Sequence, residues 1–155
     1  QEGARPVVSG RRELALRPRG DASLPVTDLF GAFFDTAYAF RFGPPAHDVT
    51  VGRLAAGDQE IASAFHFPRG RMAAMHAATV VAEAGEDADG AFVVLSSDRL
   101  AQSVNLAVPG YLPGDNWFHL APGHPKIVRL DLYGEKPERV AGEIRHLGSP
   151  GVIHV

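Results

Sequence analysis

The 155 residues carry fifteen basic and eighteen acidic side chains, a formal net charge of −3, and no cysteine. That balance argues against a nucleic-acid or anionic-membrane partner, and the missing thiols exclude disulfides, a thiolate nucleophile and a thiolate zinc site. The length suits one ordinary domain or two small β modules, and falls far short of an eight-fold barrel, which needs about 250 residues.

Read from the N-terminus, no signal-peptide pattern opens the chain, and no run of about 18 apolar residues follows. A soluble protein is expected. The lack of cysteine favours a reducing compartment such as the cytoplasm without requiring one. The stretch "LALRPRGDASLPV" at 14–26 shares a Leu, a Pro, a Gly and then an alternating run with "FHLAPGHPKIVRL" at 118–130. The spacing of about 100 residues suggests two successive immunoglobulin-sized units. In "TDLFGAFFDTAYAFRF", Leu29, Phe30, Phe33 and Phe34 recur at helical spacing. A short helix near 28–34, with Thr27 as its cap, is expected there. From Thr36 the pattern changes to alternation, with Tyr38, Phe40 and Phe42 on one face of an extended segment that ends at "GPP".

Beyond that point the period is two. "HDVTVGRL" and "IASAFHF" flank Gly57-Asp58 and read as a hairpin. "FPRGR", at 67–71, is a natural boundary. "AATVVAE", "AFVVLSS", "SVNLAV", "KIVRLDL" and "RVAGEIRHL" are strand candidates. In the third, Val104, Leu106 and Val108 oppose Asn105 and Ala107; in the fourth, Val128, Leu130 and Leu132 point inward. "EAGEDADG" has the composition of a hairpin loop with solvated carboxylates. The expectation is an all-β protein of immunoglobulin-like β-sandwich type, one complete C-terminal sandwich at 70–155 preceded by a partial one at 1–69 that is short of strands.

Catalytic chemistry finds no foothold. The acidic cluster supplies no facing pair of carboxylates of the kind a glycosidase needs, about 5–9 Å apart. No nucleophile elbow surrounds Ser96-Ser97-Asp98. His119 and His124 lie five apart across a Pro-Gly turn, which is neither a helical nor a strand metal pair. No catalytic residue, metal site or cofactor is therefore assigned. "PGDNWFHLAPGHPKIVRL" (113–130) is the one stretch with a competing functional reading. Structurally, Asp115 and Asn116 suit a turn, Trp117 and His119 one strand face, Phe118 and Leu120 the other, and Pro122-Gly123 a type II turn. Functionally, Trp117 is a sugar-stacking platform with Asn116 or Asp115 bonding hydroxyls. A sole tryptophan in a small sandwich is more often core.

The ordered segments "DLFGAFFDTAYAFRFGPPAHDVTVGRL", "FHFPRGR" and "AQSVNLAVPGYLPGDNWFHLAPGHPKIVRL" resemble the C-terminal end of a β-mannosidase-type glycoside hydrolase of family 2. "DNWFHLAPG" is similar to that family's Asp-Asn-aromatic-Phe-x-Leu-x-Pro-Gly signature. The resemblance implies a non-catalytic accessory region, made of part of one immunoglobulin-like domain and the whole of the last. It implies support of the catalytic barrel and other domains of a parent hydrolase that cleaves β-mannosides with retention. The family's catalytic glutamates lie in the barrel and match nothing here. Asp115, Asn116, Trp117, Phe118 and Pro122-Gly123 carry over as a turn that shapes the last domain. "LFGAFF" is then a docking surface, and self-association is expected in the isolated piece. The alternatives are an independent carbohydrate-binding module and an immunoglobulin-like interaction module.

Overall fold

In the computed structural model, which describes residues 6–41, 43–57 and 59–155, the chain divides into two compact units at Ala74/Met75.

The described residues of the first unit contain one short α-helix, one hairpin and a 3-10 turn at Arg71–Ala74. Helix α1 covers Val26–Phe30. Its N-cap is Pro25, without a side-chain cap bond, so Thr27 lies inside the first turn and caps nothing. Gly31 at φ 66° ends the helix, because glycine enters the left-handed region without a Cβ penalty. Phe33 and Phe34 therefore follow the helix instead of riding on it.

The segment after Thr36 is a loop, not an extended run. The Asp35 carboxylate accepts the backbone N–H groups of Ala39 and Phe40, both at 2.9 Å. Tyr38 and Arg41 take positive φ to close the bend. Four backbone amides thus outweighed the aromatic alternation. Desolvation acts upward on that carboxyl, but the N–H groups of Phe40, Ala39, Ala37 and Arg41 together hold it below the ordinary range. Phe42 lies outside the described residues.

Strands β1 (Thr50–Ala56) and β2 (Gln59–His66) form the expected antiparallel hairpin, with a bulge between Leu54 and Ala55. Gly57 takes φ 58° in the connection, and Asp58 is outside the described residues. Residues 14–25, the first copy of the weak repeat, contain no strand. Arg17 to Gly20 form a turn closed by the Gly20 N–H on the Arg17 carbonyl at 2.9 Å.

The second unit is a sandwich of two four-stranded sheets. Its strands are β3 (Val80–Asp87), β4 (Gly90–Ser97), β5 (Ala101–Ala107), β6 (Tyr111–Pro113), β7 (Phe118–Leu120), β8 (Lys126–Leu132), β9 (Glu143–Leu147) and β10 (Ile153–His154). One sheet has the order β3-β4-β8-β6 and the other β10-β9-β5-β7. The first is the A-B-E-D order of an immunoglobulin sandwich and the second is G-F-C with a short strand added beside C.

Between them lies a core of Val93, Leu95, Val104, Val128 and Ile144, with Leu106, Leu120 and Leu130 around it. These are the inward positions of the alternating runs, because a period of two sends every second side chain to the same face; Leu132, expected inward too, is exposed at the end of β8. The acidic run is more ordered than its composition implies. β3 continues through Glu83, Glu86 and Asp87, leaving only Ala88-Asp89 as the loop. Asp87 accepts from Arg129 at 2.7 Å and Glu86 pairs with Lys136. These pairs reach past β4, from the end of β3 to Arg129 on β8 and to Lys136 beyond it, and tie down a strand end that the composition reads as loop.

Candidate functional site

The turn that carries the chain's single tryptophan is built on β5. Strand β7 pairs with it through Val104↔Phe118 and Ala101↔Leu120. Leu120 is buried and Phe118 packs against the core, whereas His119 faces the other way and accepts the Ser103 N–H on Nδ1 at 3.0 Å. This agrees with the strand faces expected for residues 118–120. Following them, the His124 N–H reaches the Ala121 carbonyl at 3.3 Å and Gly123 takes φ 71°. Those are the features of a type II turn with proline at its first central position.

Upstream of β7 the chain leaves strand geometry. Asn116 does the anchoring. Its Oδ1 accepts the Leu106 N–H at 2.9 Å, its Nδ2 donates to the Leu106 carbonyl at 2.9 Å, and the Asn105 carboxamide donates to the same Oδ1 at 3.3 Å. The side chain thus takes the place of a missing ladder partner for Leu106, satisfying both of its backbone groups. The Trp117 N–H closes onto that oxygen as well, at 3.0 Å.

Trp117 then sits at φ 62° and is 66 % exposed. A left-handed conformation costs a non-glycine residue about 1–3 kcal/mol, and a ring left mostly exposed returns little hydrophobic energy for it. The core position usual for a lone tryptophan is not where this one lies: Phe118 and Leu120 take the core side, which leaves Trp117 on the outward side with His119. Asp115 pairs with Lys126 at 2.9 Å, and the same ammonium stands 4.8 Å from the Phe118 ring centre.

Of the three sequence-selected residues, the fold therefore brings all into one turn but employs them differently. Asp115 is engaged by Lys126, Asn116 is engaged by β5, and Trp117 projects. Two residues that sequence reasoning did not select stand beside them. Asn105 is half-buried on the outward side of β5, and its register partner on β9 is Arg145. Arg145 in turn bonds Glu143 at 3.0 Å. The alternation of "SVNLAV" showed that Asn105 faces outward, but cross-strand register is not written in a single strand's pattern.

Among the described residues no group of three or more His, Asp or Glu side chains is placed to hold a metal ion. No described helix is long and apolar enough to cross a membrane.

No curated protein matches the chain. Residues 75–146 match the family model of the mannosidase Ig-fold domain, Ig_mannosidase. The match covers the span from the start of the second unit to β9, and thus the core, the Asn116 clamp and the Pro-Gly turn. Residues 75–146 of this chain are an immunoglobulin-fold domain of the mannosidase type.

Proposed function

We propose that the chain is a non-catalytic accessory region of a glycoside hydrolase of β-mannosidase type, and that its Ig-fold domain supports the catalytic barrel of that enzyme. The observation that carries the reading is the mannosidase-type match over residues 75–146. The way the "DNWFHLAPG" turn is used supports it: Asp115, Asn116 and Pro122-Gly123 build the sandwich instead of converging on a reacting atom. In that assembly the barrel and neighbouring domains are the partners and β-mannosides the substrates of the whole.

The test is an immunoblot of the source organism's proteins with an antibody against this chain, combined with a β-mannosidase assay of the fractions. A band several times heavier than 16.5 kDa that copurifies with activity is the expected result. A band at the chain's own mass, free of activity, overturns the reading.

One observation favours a second role for the same domain. An exposed indole on a strained backbone is poor architecture, since neither burial nor backbone geometry benefits from it. Such residues are concentrated where a surface meets something.

A further inference from the structure

The outward surface of the β10-β9-β5-β7 sheet carries a polar row, Asn105 with Arg145 and Glu143, beside the exposed Trp117. Asn105 and the backbone of Trp117 both donate to one atom, Asn116 Oδ1, at 3.3 and 3.0 Å, so the two residues flank the same point. Across β5 from there, Asn105 is in register with Arg145. Ala107 and Glu143 are the next pair, and Arg145 Nη2 bonds Glu143 at 3.0 Å. Neighbouring strands lie about 4.8 Å apart, so the backbone positions of Trp117, just before β7, Asn105 on β5 and Arg145 on β9 follow one another across the sheet over roughly 10 Å. The Arg145 and Glu143 side chains are 62 % and 48 % exposed. None of these groups is used by the core.

We infer that this row is a binding site for a neutral pyranose oligosaccharide. Each part matches one part of such a ligand. The flat, rigid indole offers an apolar surface for the axial C–H face of a pyranose ring, at low conformational cost. The carboxamide of Asn105 supplies donor and acceptor together, which is what a hydroxyl requires. The guanidinium and carboxylate of Arg145 and Glu143 offer a fork of donors next to acceptor oxygens, the pattern that vicinal hydroxyls can bridge.

The paired opposite charges leave the row with no net charge, which disfavours an anionic or cationic ligand. The Asn116 clamp holds Trp117 in its left-handed step before any ligand arrives, so little ordering is left to be done on binding. Asp115 and Asn116, with their side chains committed to Lys126 and Leu106, hold the platform in place and leave the sugar contacts to Trp117, Asn105 and Arg145.

The inference depends on the accessory-region reading only for the choice of mannose as the first probe. Because Trp117 is the chain's single tryptophan, its emission reports this site alone. The experiment titrates the full 155-residue chain with β-1,4-mannotriose and, separately, cellotriose, following fluorescence. At least one sugar is expected to give a saturable change in the millimolar range. Arg145→Ala and Asn105→Ala are each expected to weaken it about tenfold, with an unaltered far-ultraviolet circular dichroism spectrum. Arg145 is outside the Asn116 clamp, so its variant reads binding even if Asn105→Ala disturbs the turn.

No emission change with either sugar, or equal affinities in wild type and Arg145→Ala, overturns the inference. Emission that ignores sugars but shifts on adding a catalytic domain also overturns it, while leaving the accessory reading in place. A sugar response in a chain whose native mass is 16.5 kDa does the reverse: the platform stands and the accessory role falls.

Discussion

The two units of this chain apply the same strand chemistry with opposite results. In the first, β1 and β2 alternate and pair correctly, yet of fifteen strand positions only Thr50, Val51 and Phe65 are even half-buried. Leu54 and Ile61 are 49 % and 60 % exposed. In the second, alternation of the same quality on β4 places Ala91, Val93 and Leu95 at 5 % exposure or less, because a second sheet covers them. A period of two decides which side chains share a face. Only another layer decides whether that face is buried, and a two-stranded hairpin alone is marginal in water.

Truncating one side chain in each unit separates a covered face from an uncovered one. Ile144→Ala in the sandwich core is expected to cost about 2–5 kcal/mol, since it leaves a cavity in a fully buried position. Ile61→Ala on the hairpin is expected to stay within about 0.5 kcal/mol. Urea unfolding of the two variants checks both values. Equal losses would mean that the hairpin face is covered after all.

A smaller effect is expected at Gly142. Its N–H and carbonyl pair with Val155, at 3.0 and 3.1 Å, and an added Cβ would fall 2.6 Å from the Ala107 carbonyl oxygen and 2.9 Å from the Val108 Cα. Both obstacles are backbone and cannot rotate away. Gly142→Ala should therefore destabilise the sandwich by about 1–3 kcal/mol, readable as a lower thermal midpoint, whereas an unchanged midpoint would show that this edge is slack. Gly52 on the hairpin has open space where its Cβ would go, so Gly52→Ala should leave the midpoint unchanged or raise it slightly.

The same contrast explains what the sequence made legible. The long strands β4, β5 and β8 could be read because propensity, alternation and turn chemistry agreed, and "KIVRLDL" coincides with β8 residue for residue, whereas the three-residue β6 is too short to show a period. The short helix was visible but misplaced, since the left-handed break at Gly31 decides its end. The loop at 35–41 was hidden, because an aspartate collecting backbone amides leaves no periodic trace. In the candidate site, Trp117 was conspicuous by type and its outward face follows from the alternation with Phe118 and Leu120, but its neighbours Asn105 and Arg145 meet only through register.

Asn116 tests whether the Trp117 turn is held as described. Asn116→Asp keeps the acceptor for Leu106 N–H and removes the donor to the Leu106 carbonyl, so a loss of about 1 kcal/mol is expected. Asn116→Ala removes both and should cost more, about 1–3 kcal/mol. Trp117→Gly should go the other way, because glycine takes φ 62° without strain and the indole contributes little burial. Thermal melts of the three rank them. A large loss in Trp117→Gly would show that the ring is part of the core packing.

The mildest perturbation is acid, and it acts on each unit through a different mechanism. On the sandwich, a hydrogen bond from Arg129 holds the Asp87 carboxyl below its ordinary range, and Asp87 reciprocally raises Arg129. In the first unit the depressed group is Asp35, held down by backbone N–H groups against desolvation. A carboxyl whose folded pKa lies below its unfolded value binds fewer protons when folded. Its contribution is fully present above the unfolded pKa and is lost as pH falls through the folded one. Both units should therefore weaken only below the ordinary carboxylate range, and only slightly, since both groups are exposed to water. Salt separates them. The Asp87–Arg129 attraction is screened as ionic strength rises, whereas the Asp35 bonds to neutral amides are screened far less. Carboxyl resonances followed by NMR at low and high salt should thus show the Asp87 pKa rising with salt while that of Asp35 holds nearly still. If both move together, the Asp35 loop is held by a nearby cation and not by its own backbone.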